Sequence, residues 1–183
     1  MVLGLIGLCA AIGEGSASDW GAILLRDTWQ AGAFLSSVPY IVFQTGMVIG
    51  RFSADGLTQK FGRARVLLVC GLVGGLGEIA GLLIGGASGV ILGWLCVGLG
   101  VSVVIPTVFS LAGSIAKERY AGVIAPSQAV ATVSAASYSA FMLGPTVIGF
   151  LADQISLRWA MLFPAVLVLG VAAGSRLAKA ADH

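Results

Sequence analysis

The sequence predicts an all-α, polytopic membrane protein with six transmembrane helices. Of its 183 residues, 58% are hydrophobic and only 10% are charged, and the mean hydropathy is +1.01. An ordinary soluble domain carries about 25% charged residues, so a soluble fold of this length could not bury so much apolar surface. Apolar runs such as VLLVCGLVGG do not alternate with polar residues. Strands of a membrane β-barrel would alternate, so these runs indicate helices.

Six apolar stretches are long enough to cross the bilayer, which takes about 20 helical residues. Glycine accounts for 27 of the 183 residues, about twice its average share of roughly 7%, and glycine lets membrane helices approach closely. The stretches form one transmembrane domain over residues 1–183. The predicted spans lie near 2–24, 31–53, 66–86, 88–113, 127–150 and 159–178.

Lysine and arginine set the predicted orientation, because cytoplasmic loops carry an excess of both. Eight of the ten basic residues fall on the side that holds both termini, and only Arg26 and Arg158 fall on the other. Both termini are therefore expected in the cytoplasm. The tryptophans are expected near the outer helix ends, where aromatic residues anchor helices at the lipid surface. The eight basic residues are Arg51, Lys60, Arg63, Arg65, Lys117, Arg119, Arg176 and Lys179, and the tryptophans are Trp20, Trp29, Trp94 and Trp159.

Polar side chains are concentrated in spans one, two, four and five, and spans three and six carry almost none. Polar groups in hydrocarbon are costly and face a cavity or a partner. The pattern therefore predicts an aqueous cavity bordered by four spans, with spans three and six as lipid-facing support. The alternative is that single serines and threonines only bridge helices or satisfy backbone groups. The cavity candidates are Glu14, Asp19, Tyr40, Gln44, Thr107, Ser134 and Tyr138.

Two triplets, each with two cavity helices and one support helix, resemble the C-terminal six helices of a major facilitator superfamily transporter. GRFSADGLTQKFGRARVL at 50–67 resembles the basic loop signature of that family. EGSASDW at 14–20 and LGPTVIGFLAD at 143–153 resemble a bacterial inner-membrane subgroup, mostly uncharacterised and partly described as sugar-transporter-like. The resemblance implies two inverted three-helix repeats, and alternating access for a small polar solute such as a sugar.

The loop signature also implies a cytoplasmic gate, which an aspartate of the family helps to close through charge pairs. Here Gln59 occupies the usual position of that aspartate, and Asp55 lies one turn earlier. Asp55 is the candidate to replace it, paired with Arg51 or Arg63; the alternative is a solvated loop charge. The predicted gate residues are Arg51, Asp55, Gln59, Arg63 and Arg65.

Transporters of this family usually have twelve helices in two halves, with the solute bound between the halves. The simplest expectation is that this sequence is the C-terminal half of a larger protein and needs an N-terminal six-helix half. The alternative is a half-size chain that pairs with a copy of itself or with another chain.

Glu14 lies roughly 20 Å from the cytoplasmic face, just beyond the bilayer midplane. Gly13 and Gly15 flank it, so the helix is expected to bend or break there. Asp19 is five residues away, about 140° round the helix, and is expected to cap or gate nearer the outer interface. Glu14 is the candidate to bind a solute hydroxyl or a cation, or to carry a coupled proton. The alternative is a carboxylate fixed by hydrogen bonds between helices.

Glu78 is the single charged residue inside the third span. It faces either span one or the lipid, where it would be protonated, and the sequence leaves both interpretations open.

Other classes of function are less well supported by the sequence. GASG at 86–89 resembles the nucleophile motif of an intramembrane protease around Ser88, but the single histidine is His183, in the cytoplasmic tail. No phosphate-binding loop or His/Cys cluster is present, so no cofactor, metal, ATP drive or enzymatic activity is expected. The small net charge of +2 gives no reason to expect nucleic acid. A channel, a non-transporting membrane receptor or an inactive fragment stays open as an alternative.

Overall fold

The computed structural model describes residues 2–181, and the described residues contain helices and turns but no strand. Six helical segments are long and apolar enough to cross a membrane, which confirms the predicted fold class. The first three spans are single helices, and each of the last three consists of two segments. The helices are α1 (Val2–Trp29), α2 (Ala33–Phe61), α3 (Arg63–Ile84), α4 (Gly86–Val101), α5 (Val104–Arg119), α6 (Pro126–Tyr138), α7 (Ala140–Ile155), α8 (Leu157–Ala160) and α9 (Leu162–Ala181).

Single glycines reverse the chain between the second, third and fourth spans. Gly62 has a φ of 80° and donates its N–H to the Thr58 carbonyl at 2.9 Å. Gly85 has a φ of 73° and donates in the same way to Gly81. Residues that carry a side chain rarely adopt this backbone conformation, so glycine ends the helix at both points. The segment predicted as a gate loop is therefore mostly helix, because α2 continues to Phe61.

Each of the last three spans is interrupted on the N-terminal side of a proline. A proline cannot donate to the carbonyl four residues earlier, and its ring crowds that carbonyl. This reason applies to the fourth and sixth spans, where the proline follows the interruption by three or four residues, whereas the proline of the fifth span follows six residues later. The interruptions are at 102–103, Ser139 and Met161, and the prolines are Pro106, Pro145 and Pro164.

Helix α1 does not break where the sequence predicted. It is continuous from Val2 to Trp29, so the expectation of a break at Gly13 and Gly15 is wrong, and the alternative of a bend there stays a prediction. Gly13 instead packs directly on Val168 of α9, and Gly15 lies beside the Phe141 ring. The two glycines make room for neighbouring side chains while the helical hydrogen bonds continue.

Helix α1 lies at the centre of the bundle and α3 at its edge. Helix α1 packs against α2, α4, α5, α6, α7 and α9, whereas α3 packs mainly against α4 and α9. The outward side chains of α3 are aliphatic, as the predicted support helix requires. They include Leu68, Val69, Leu72, Val73 and Leu76.

Trp94 does not lie at an outer helix end, as the sequence predicted. Its side chain is fully buried, and its indole N–H donates to the Ala17 carbonyl of α1 at 2.9 Å. Gly21 of α1 packs against the nitrogen side of the indole. Trp94 is eight residues into α4, roughly 12 Å from the start of the helix, so it belongs to the core and joins α4 to α1.

Arg158 joins several helices at one end of the bundle, the end where Arg26 also lies. Its Nε and Nη2 donate to the Leu82 carbonyl at 2.9 and 2.6 Å, near the C-terminus of α3. Its guanidinium carbon lies 5.4 Å from the Trp29 ring and 5.0 Å from the Trp159 ring. The cation therefore satisfies a helix end and stacks against two aromatic rings at the same time.

Glycines bring α2 and α4 into backbone contact. A methyl group at Gly98 would collide with the carbonyl oxygen of Phe43, and one at Gly46 would lie 2.9 Å from the Leu95 carbonyl oxygen. Both oxygens belong to the backbone and cannot move aside, so a larger residue would force the two helices apart.

We predict that Gly98→Ala destabilises the bundle by roughly 1–3 kcal/mol, the usual cost of overpacking a close contact. Gly170→Ala on α9 is the matched control, because a methyl group there has no atom within 4 Å. Thermal unfolding in detergent measures both variants. Equal melting temperatures for the two variants would contradict this packing of α2 on α4.

Candidate functional site

Helices α1, α2, α5, α6 and α7 converge on a cavity of about 210 Å³. We refer to it as the Glu14–Arg51 cavity. It brings together one acidic residue, one basic residue, aromatic rings and a buried serine. Its lining residues are Ala11, Glu14, Arg51, Ile105, Pro106, Phe109, Ser137, Tyr138 and Phe141.

An ion pair joins α1 to α2 at this cavity. Arg51 Nη2 lies 3.7 Å from Glu14 Oε1, and the side chains are 57% and 28% exposed. The two residues meet because α1 and α2 run antiparallel. Glu14 is 15 residues before the end of α1 and Arg51 is 18 residues after the start of α2. At about 1.5 Å per residue these positions have similar depths.

The geometry of this pair leaves both partners available to a third group. A separation of 3.7 Å is longer than a charge-assisted hydrogen bond of about 2.7–2.9 Å. Partial exposure weakens such a pair further, and exposed pairs contribute about 0–1 kcal/mol. A proton on Glu14, or a polar solute beside Arg51, can therefore replace the contact at little cost.

Aromatic side chains form the opposite wall. The Tyr138 and Phe141 rings stack with centroids 6.3 Å apart, and Tyr138 is 65% exposed. The Ser137 hydroxyl is buried and donates to the Val133 carbonyl at 2.9 Å. The cavity thus offers one charge pair and one phenol hydroxyl in mainly apolar surroundings.

Tyr40 and Gln44 lie in a different place. Gln44 Nε2 donates to Tyr40 Oη at 3.0 Å, one turn along α2. Both residues line an open groove of about 420 Å³ on the outer face of α2, together with Thr45 and three aliphatic residues. The structure therefore separates them from Glu14, with which the sequence had grouped them.

The remaining cavity candidates do not line the Glu14–Arg51 cavity. Thr107 is buried beside Pro106, and Ser134 is half-buried one turn before Tyr138. Asp19 is exposed on α1. Of the seven candidates, the structure brings together Glu14 and Tyr138 at this site.

The predicted gate residues also lie in different places, and one of them lines the cavity. Arg51 pairs with Glu14 and belongs to the cavity. Arg63 donates to the Ser110 hydroxyl at 3.3 Å and so joins α3 to α5. Asp55, Gln59 and Arg65 are exposed near the junction of α2 and α3.

Sequence reasoning missed Ala11, Ile105, Phe109 and Ser137. Ala11, Ile105 and Phe109 are apolar, and apolar residues are abundant in every span, so they carried no signal. Ser137 is the sequence neighbour of the candidate Tyr138, which was the one signal that could have indicated it. Among the described residues no group of His, Cys, Asp or Glu is arranged to hold a metal ion.

Residues 3–180 match the model of the Major Facilitator Superfamily. The chain belongs to this superfamily. Membership confirms the family resemblance in the sequence, and the six apolar helices agree with a multi-pass membrane protein. Transporters of this superfamily carry small solutes across membranes.

Three curated relatives illustrate the similarity within the superfamily. An uncharacterised MFS-type transporter of Yersinia pestis is 32% identical over 96% of this chain and 44% of its own length. An uncharacterised transporter of Sinorhizobium fredii is 32% identical over 86% of this chain and 40% of its own length. Membrane protein MosC of Rhizobium meliloti is 25% identical over 93% of this chain and 40% of its own length. The chain thus spans less than half the length of each of these relatives.

We predict that the cavity side of the bundle contacts water and the outer side of α3 contacts lipid. In a background with the three cysteines replaced by alanine, Tyr138→Cys should react with a membrane-impermeant maleimide in proteoliposomes. Leu76→Cys on α3 should not react, although Leu76 is 53% exposed in the bundle. Similar labelling rates at both positions would contradict a wet cavity face.

Proposed function

We propose that this chain forms one half of a secondary active transporter of the bacterial inner membrane. It moves a small polar solute by alternating access, in symport or antiport with protons. The observation that carries the proposal is the partly exposed Glu14–Arg51 ion pair at a cavity between α1, α2, α5, α6 and α7.

The ion pair gives the cavity two states of different charge. With Glu14 ionised, Arg51 is paired and α1 is tied to α2. With Glu14 protonated, Arg51 is released and its five N–H donors are available to the solute. A solute and a proton that favour the same state promote each other's binding, which is the thermodynamic basis of coupling.

The walls of the cavity restrict the class of solute. A volume of about 210 Å³ is below the roughly 300–1,000 Å³ of a complete ligand pocket, so a second wall must complete the site. Tyr138, Phe141 and Phe109 offer ring faces, and Arg51 offers hydrogen-bond donors. A sugar suits this combination, because its C–H face packs on aromatic rings while its hydroxyls accept hydrogen bonds.

A second six-helix bundle is proposed as the other wall. The groove on α2 places Tyr40, Gln44 and Thr45 on the surface of the bundle, and polar side chains on a lipid-facing surface are costly. A partner bundle, either an N-terminal half or a second copy, would cover this groove. The distribution of Lys and Arg favours cytoplasmic termini for this arrangement.

A channel or a receptor is the competing proposal. Cysteines placed along α1 and α2 distinguish them by accessibility from the two sides of the membrane. Reciprocal labelling, with one side opening as the other closes, supports a transporter. Simultaneous labelling from both sides supports a channel, and labelling unchanged by solute and pH supports a receptor or an inactive fragment.

We predict that Glu14→Gln abolishes accumulation driven by a pH gradient, because the amide cannot release or take up a proton. The measurement is uptake of labelled sugars, amino acids and carboxylates into proteoliposomes, with and without an imposed gradient. Asp153→Asn is the control, since Asp153 is an exposed carboxylate on α7 outside the cavity. Gradient-driven uptake that survives in Glu14→Gln would exclude proton coupling through this residue, although transport itself could continue.

A further inference from the structure

Glu78 on α3 is more deeply buried than any other Asp, Glu, Lys or Arg among the described side chains. It is 1% exposed, and its Oε2 has no hydrogen-bond partner. It does not line the Glu14–Arg51 cavity. The interpretation that it faces lipid is wrong, because the residue is buried inside the bundle, on a helix that packs mainly against α4 and α9. The interpretation that it faces the first span stays a prediction.

The residues next to Glu78 on α3 pack against glycines and apolar residues of α4 and α9. Gly74, one turn earlier, packs on Val168 of α9 and on Gly100 of α4. Gly93 of α4 is close enough that an added Cβ would lie 3.5 Å from the Glu78 Cα. Leu82, one turn later, is fully buried in the core that contains Trp94. The carboxyl group is therefore held inside the bundle, away from either membrane surface.

No described cation compensates this carboxyl group. Helix α4 offers Cys96, which packs on Gly77, and α9 carries no charged residue before Arg176 near its far end. Arg158 of α8 lies near the C-terminal end of α3, the end closer to Glu78, but its guanidinium donates to the Leu82 and Leu83 carbonyls. Helix α5 meets α3 through the hydrogen bond from Arg63 to Ser110, at the opposite end of α3.

An ionised carboxylate in such a place would be far more costly than a neutral acid. Burying an unpaired charge costs much more free energy than burying a neutral polar group that lacks a partner. A neutral acid also has an O–H that can donate to a nearby carbonyl. We propose that Glu78 binds a proton in the folded protein and forms a second protonation site, separate from Glu14.

Release of this proton to solvent would act on the contact between α3 and α4. The backbones touch there, because Gly81 and Gly89 each pack on the carbonyl oxygen of the other. A negative charge at Glu78 draws in water or a cation, for which this contact has no room. Deprotonation therefore loosens the support helix from α4, and the packing of the bundle responds to pH whether or not Glu14 carries a proton.

Infrared spectroscopy of the protein in lipid vesicles tests the protonation state directly. The C=O stretch of a neutral carboxylic acid is expected at neutral pH in the unmodified protein and in Glu14→Gln, and is expected to be lost in Glu78→Gln. Glu14→Gln is the matched control, because it removes the other carboxyl group inside a span. A neutral-acid band that is absent from the unmodified protein, or unchanged in Glu78→Gln, overturns the proposal.

Thermal unfolding in detergent gives an independent readout. The folded protein holds a proton that the unfolded chain releases, so the unmodified melting temperature falls as the pH rises from acid towards neutral. Glu78→Gln mimics the neutral acid and is expected to lose this part of the pH dependence, as is Glu78→Met, which has no titratable group. Variants that keep the full pH dependence of the unmodified protein contradict a proton on Glu78.

Discussion

The arrangement of the bundle depends on the close approach of α4 to α2 on one side and to α3 on the other. Lipid supplies no hydrophobic force between helices, so association relies on packing and small residues. Gly98 meets the Phe43 backbone of α2, and Gly89 meets Gly81 of α3. With α4 held from both sides, the Trp94 indole reaches the Ala17 carbonyl and fixes α1. The position of α1, in turn, brings Glu14 to Arg51.

The two glutamates inside the spans show how packing decides the chemistry of a carboxyl group. Glu14 lies at a partly open cavity. The Arg51 guanidinium is within reach of it, and a solute can compete for that cation. Glu78 lies in a glycine-lined contact, where no described cation pairs with it and a larger group does not fit. The first group can change partners, whereas the second, by our proposal, can change only by losing its proton. Residue type alone does not separate these roles.

Much of the fold could be predicted from the sequence, because membrane spans are defined by length and apolarity, which are local properties. The outward face of α3 follows from the same reasoning. The positions of Trp94 and Arg51 could not be predicted in this way. Trp94 was assigned to an interface by its residue type, although its depth in α4 places it in the core. Arg51 was placed in the second span and grouped with the gate residues by a motif, and its pairing with Glu14 of α1 was not predicted. Both positions depend on contacts between helices, which a single sequence does not encode locally.

The distribution of tight contacts also indicates where motion can occur. Helices α2, α3 and α4 touch through backbone atoms, so they have little freedom to slide and should move as one body. The proline-associated interruptions at 102–103 and at Ser139 lie in the fourth and fifth spans, which also line the Glu14–Arg51 cavity. Helix α1 joins the two groups through Trp94 on one side and through Gly7, which packs on Ser137, on the other. In the proposed transporter, α2, α3 and α4 would therefore act as the rigid part of this half, and local adjustment to a solute would fall to α5, α6 and α7. Protonation of Glu78 would affect the rigid part. Protonation of Glu14 would affect the boundary between the rigid and the adjustable part, so the two sites would influence different steps of a transport cycle.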